Sequence, residues 1–199
     1  MANSPSRAGT PKDRMVEATI TLMRRSGYSG AGLNEILTES GAPKGSMYHY
    51  FPGGKRQIAS VALATYAQQI LAMFDASLST GRTPGAKVRA LFEARAKRLE
   101  QSAFRMSCAA GATCLDLEED LEVVRLAIAS AFAEWIALIA KHFRFADMRR
   151  TRSFAGLVLT AIEGAYIRGR AEHSGKAFRE AGAWLAEIAD RETAAKGAA

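Results

Sequence analysis

From Pro11 onward the apolar residues recur at helical spacing. Val16, Ile20 and Met23 stand four and three residues apart, and Ala18 and Leu22 widen the same stripe. That period predicts an amphipathic first helix. Thr10 is placed to cap it, Asp13 follows three residues later, and Pro11 sits where proline is tolerated. Gly27 should stop this helix, with Tyr28 folding back onto it. A second helix is expected over Leu33–Ser40, burying Leu33, Ile36 and Leu37, and a third over Lys44–Tyr50. The turn Pro52-Gly53-Gly54 then opens a long fourth helix to about Ser79, with Ile58, Val61, Leu63 and Tyr66 inside.

The later pattern is also helical. One helix is expected from about Pro84 to Glu100, followed by a Gly-, Cys- and Ala-rich connection through Gly111. Leu121, Val124, Ile128, Phe132, Trp135 and Ile139 advance by three or four residues, predicting a long helix over about 119–143. A basic turn, Asp147 to Arg152, precedes two more helices, about Ser153–Glu172 and Gly175–Glu192. Phe154, Val158, Ala161 and Ala165 stripe the first, and Phe178, Ala181, Leu185 and Ile188 the second. All five prolines lie at or before Pro84, and no segment sustains a period of two. The expected fold is all-α: a short N-terminal arm (1–10), a compact three-helix head (11–56) and a helical body (57–199). Gly156, Ala161, Gly164 and Ala165 permit close helix approach, either within the monomer or between two copies in a four-helix bundle.

Charge sharpens this division. The 199 residues carry a net charge of +7. Up to Arg56 there are eight Lys/Arg against four acids, so +4 falls on little more than a quarter of the chain. An anionic partner for the head follows. Cys108 and Cys114 form no CxxC pair, and His49, His142 and His173 are scattered, so no metal site and no cofactor are expected. No apolar run approaches the ~20 residues of a bilayer span, and the first ten residues lack an apolar core, so a cytoplasmic protein is expected.

The stretch from Gly41 to Phe51 concentrates the head's chemistry. Its helix carries Lys44, Ser46, Tyr48, His49 and Tyr50 on one side and Met47 and Phe51 on the other. A turn that projects a small basic, hydroxyl-rich helix is how a helix-turn-helix reaches a DNA groove. Lys44 near the helix start suits an incoming phosphate or guanine edge, and Gly45 lets the backbone approach closely. Ser46 and His49 are candidates for base edges; Tyr48, Tyr50 and Lys55 are candidates for phosphate oxygens.

Gly27-Tyr28, Ile36-Leu37, Gly41, Lys44-Gly45, Tyr48-His49-Tyr50-Phe51 and Lys55 together resemble the DNA-binding domain of the TetR family of bacterial transcriptional regulators. Gly53-Gly54 before Lys55 resembles one branch of it, as do Cys108 and Glu163-Gly164-Ala165. Pro43 stands where many members have serine, and Ala31-Gly32 where a phosphate-touching Thr or Ser is common. The resemblance implies a homodimer that binds a palindromic operator in double-stranded DNA, and because a two-fold reader needs a dimer, the last two helices are the expected interface. It further implies a repressor released when a small molecule, apolar or aromatic, enters the body. Phe92, Phe104, Cys108, Phe132, Trp135, Ile139, Leu157 and Glu163 are the expected ligand-binding set. Three rival readings remain. An enzyme finds no nucleophile–base pair or phosphate-cradling loop here. A helical small-molecule carrier with an incidental basic head gives no protected palindrome, and a sequence-neutral DNA binder shows no preference for its own promoter.

Overall fold

A computed structural model describes residues 9–118 and 121–197. The expected arm thus lies largely outside the described residues, as does the expected helix start at Glu119. Among the described residues the chain is all-α, with no strand. The elements are α1 (Pro11–Ser26), α2 (Leu33–Ser40), α3 (Lys44–Tyr50), α4 (Gly54–Ser79), α5 (Pro84–Gln101), α6 (Ala109–Cys114), α7 (Glu122–Lys141), α8 (Met148–Glu172) and α9 (Lys176–Gly197).

Backbone contacts divide these into two compact units: residues up to Ala67 with Cys108–Ala131, and Gln68–Ser107 with residues from Phe132 onward. α4 and α7 contribute residues to both. In the first unit, α1 begins as its sequence dictates. The Thr10 hydroxyl accepts from the Asp13 N–H, and the Asp13 carboxylate accepts from the Thr10 N–H at 3.0 Å. This reciprocal cap satisfies two otherwise orphaned donors. It also holds the Asp13 carboxyl below the usual carboxylate range. Met15, Val16, Ile20 and Met23 are buried, and α2 and α6 pack on α1.

Several expectations change. Val61 on α4, expected inside, is half-buried. Of the predicted α2 core only Ile36 is fully buried; Leu33 and Leu37 are half-buried, and the second buried residue of this two-turn helix is Ser40, four residues on from Ile36. The connection through Gly111 contains α6, whose start is capped by the Cys108 thiol accepting from the Gly111 N–H. The basic stretch after Asp147 is not a turn. Asp147 caps α8 by accepting from the Arg149 N–H at 2.7 Å, so Arg149, Arg150 and Arg152 stand on its first turns. Finally, α7 is 20 residues long and contains an 18-residue stretch with a mean hydropathy of 1.9, apolar enough by length and composition alone to cross a membrane. Arg125 and Glu134 interrupt its apolar run, which is why no such stretch stood out in the sequence.

The second unit is organised by the α5–α9 seam. Gly182 lets α9 approach α5 so closely that a Cβ there would lie 2.6 Å from the Phe92 Cβ. Phe92 meets Phe178, which meets the Tyr166 ring edge-on at 5.0 Å. Arg179 closes the seam from outside, donating to Glu93 and Glu100 on α5. These bonds hold the Glu100 carboxyl below its ordinary value and push the Arg179 guanidinium higher still. Phe143, Phe145 and Phe154 form a separate aromatic cluster.

Candidate nucleic-acid interface and effector region

α3 is held from both ends by backbone geometry. Gly41 ends α2 in the left-handed conformation at φ 60°, and its N–H returns to the Thr38 carbonyl. Pro43 then occupies the cap position of α3 without a side-chain bond, its set φ standing in for a serine cap. At the far end Gly54 turns back at φ 62° and its N–H meets the Phe51 carbonyl at 2.8 Å. Met47 and Phe51 are buried, anchoring the helix to the unit's core. The remaining residues face out: Lys44, Gly45 and His49 are exposed, Tyr48 is 65% exposed, and Ser46 and Tyr50 are half-buried. Nothing lies within 4 Å of the Cβ position at Gly45, so its surface is open. The His49 and Tyr50 rings stand edge to face at 4.7 Å. Donors, a cation and phenols therefore share one solvent-facing surface while the two apolar residues hold the helix down.

Lys55 is placed differently from the α3 residues. Its ammonium lies 4.3 Å from the Tyr28 ring centroid and donates to the Ser29 carbonyl at 3.4 Å. Partial burial pulls its pKa down, opposed by the charges of Asp116 and Glu35. Beside it, the Asp116 carboxylate accepts from the N–H groups of Tyr28 and Ser29 at 3.1 and 2.7 Å. One carboxylate just past α6 thus holds the turn between α1 and α2. No sequence signal marked Asp116, because its partners are backbone groups 87 and 88 residues away.

The expected effector residues do not form one group. Within the second unit, Phe132 and Trp135 meet at 5.6 Å, and Trp135 meets Phe74 at 6.1 Å. Ile139 is buried one turn further along α7. Phe92 belongs to the α5–α9 seam, whereas Phe104 stacks on His173 at 5.4 Å. Glu163 is half-buried on α8. Leu157 does not join the interior: it is 49% exposed, because Val158 takes the inward position on that turn. Cys108 is buried in the first unit. A cleft of about 860 Å³ in the second unit lies elsewhere, lined by Ile136, Met148, Arg149, Arg152 and Gly156 among others. The expected set also omits Arg95, a charged side chain only 3% exposed in the middle of the buried face of α5.

Residues 15–61 match the model of bacterial regulatory proteins of the tetR family. Residues 84–184 match the C-terminal domain of LmrA/YxaF-like transcriptional regulators. The chain belongs to the TetR family. An uncharacterised HTH-type transcriptional regulator of Mycobacterium tuberculosis is 30% identical over 168 residues, covering 80% of this chain and 84% of that protein. The HTH-type transcriptional regulator LmrA of Bacillus subtilis is 29% identical over 168 residues, 80% of this chain and 86% of LmrA. Among solved structures, a TetR regulatory protein from Rhodobacter sphaeroides superposes with a TM-score of 0.78 at 20% identity, over 90% of this chain and 98% of that one. A cysteine variant of the TetR-family regulator CifR, solved with 26-bp double-strand operator DNA, gives 0.74 at 19%, over 90% and 97%. This TetR-family chain is thus a transcriptional regulator with a helix-turn-helix head and a helical C-terminal domain.

Proposed function

We propose that the protein is a cytoplasmic homodimeric repressor that leaves a palindromic operator when a small molecule binds its body. The observation that carries this reading is the two-sided character of α3, with Met47 and Phe51 buried and Lys44, Gly45, Tyr48 and His49 turned to solvent. Residues 11–56 serve DNA contact. Lys44, Tyr48 and Tyr50 grip phosphates, while Ser46 and His49 face base edges across the open backbone of Gly45. Lys55 contributes by holding the Tyr28 turn as much as by direct contact.

Residues 57–199 serve effector binding and dimerisation. For the dimer, α8 and α9 offer an unpartnered apolar face: Leu157, Ile167 and Trp184 are exposed, and the Cβ positions of Gly156 and Gly164 meet nothing within 4 Å. Leu157 accordingly serves the interface rather than the effector. Two recognition helices then meet successive major grooves about 34–36 Å apart. The effector acts by binding the DNA-incompetent dimer more tightly than the competent one. Footprinting on the DNA flanking the protein's own gene tests the reading. A protected palindrome that Tyr48→Ala loses, with helicity intact, supports it. Protection without sequence preference leaves a sequence-neutral DNA binder, and no protection leaves the carrier; either outcome sinks the reading.

A further inference from the structure

Val88, Leu91, Phe92, Ala96 and Leu99 form the buried face of α5, and Arg95 stands among them. It is the one charged side chain that is fully buried among the described residues. Its Nε and Nη1 have no hydrogen-bond partner in the protein. Nη2 reaches only the Met73 thioether, at 3.8 Å, and Cζ lies 5.5 Å from the centroid of the Phe74 ring. A thioether is a weak acceptor, and a ring face attracts the cation without receiving its in-plane donors. A guanidinium cannot escape by deprotonating in the physiological range. A buried charge without a counter-ion is strongly destabilising. The fold therefore carries a cost at Arg95 that its own side chains do not offset.

We infer that Arg95 anchors the effector, and that the effector is an organic carboxylate with an apolar body. The inference rests on the effector-controlled regulator reading above. A planar guanidinium presents two parallel N–H groups that match the two oxygens of a carboxylate. A single buried cation, with apolar neighbours, balances one negative charge and not the two of a phosphate monoester. The apolar body lies along Phe74, whose ring meets Trp135, which in turn meets Phe132. The arrangement refines the expectation of an apolar or aromatic ligand: the aromatic surface is there, but it leads to a charge.

The test uses the full-length protein, with benzoate and cinnamate against their neutral amides, benzamide and cinnamamide, at constant ionic strength. Thermal shift reads binding without DNA. The carboxylates raise Tm and the amides do not. Arg95→Met weakens carboxylate binding on the order of 10–100-fold, the usual worth of a charge-assisted pair. Arg95→Met alone melts at or above the wild-type temperature, because the unpaired charge is gone. The inference is overturned if amides match carboxylates, if no carboxylate shifts Tm, or if inorganic phosphate does as well. It is also overturned if Arg95→Met keeps the response, or if that variant melts well below wild type, which would reveal a protein partner. Operator release by the same carboxylates is a separate reading. A thermal shift without release keeps the Arg95 site and sinks the regulator reading instead.

Discussion

α3 and α5 each place a basic residue beside apolar anchors, and they use it in opposite ways. On α3, Lys44 is exposed on a seven-residue helix that Met47 and Phe51 pin from behind. On α5, Arg95 is enclosed in an eighteen-residue helix whose buried face it interrupts. The exposed cation costs the fold almost nothing and is available to any phosphate. The enclosed one is costly until a matching anion arrives, which makes it selective. One element suits an abundant polyanion that supplies its own register; the other suits a single small ligand.

That contrast has consequences in stability and in binding. The largest expected effect is on the anchor of α3. Met47→Ala should cost roughly 2–5 kcal/mol, as for other fully buried large-to-small changes, and abolish operator binding with it. A denaturant titration measures the loss. The body should respond to the reverse error. Gly182→Val drives a branched side chain into Phe92 across the α5–α9 seam and should cost about 1–3 kcal/mol, leaving the α3 surface intact. If Gly182→Val lowers operator affinity as strongly as Met47→Ala at temperatures where it stays folded, head and body are not separable in this way. Asp116→Ala frees the N–H groups of Tyr28 and Ser29 and should cost about 1–2 kcal/mol. Amide exchange at those two residues should speed up, and unchanged exchange would remove Asp116 from the account.

The smallest effect is electrostatic. Hydrogen bonds from Arg179 lower the Glu100 pKa below its ordinary 4.5, so the pair stabilises the fold above that value. That contribution is lost as pH falls below 4.5 through the folded-state value. Because the pair is largely exposed, it amounts to a shallow change in the acid limb. In Arg179→Met the melting temperature should fall less steeply below pH 4.5 than in wild type.

The same contrast explains what the sequence made legible. Helix period, the Thr10-Asp13 cap, the Gly27 stop and the Met47/Phe51 anchor are local, encoded within a few residues, and were readable. Arg95 left one readable trace, a charge at a core position of the Val88–Leu99 stripe, whose meaning depends on Met73 and Phe74 from another helix. Asp116 left none, since a carboxylate that caps a distant turn looks like any surface acid. Leu157 is half exposed, which its spacing did not reveal, because it adjoins Val158 on a helix with two apolar faces, one for the core and one exposed. The start of α8 was read as a turn because its arginines masked a helix that Asp147 caps.

The most direct measurement is fluorescence anisotropy of operator DNA with wild type, Lys44→Ala and Tyr48→Ala at two salt concentrations. The account predicts tight wild-type binding that weakens steeply with salt. Each variant should bind roughly tenfold or more weakly, with a shallower salt slope for Lys44→Ala. Wild-type affinity in both variants, with an unchanged slope, would contradict the claim that the outward face of α3 reads DNA.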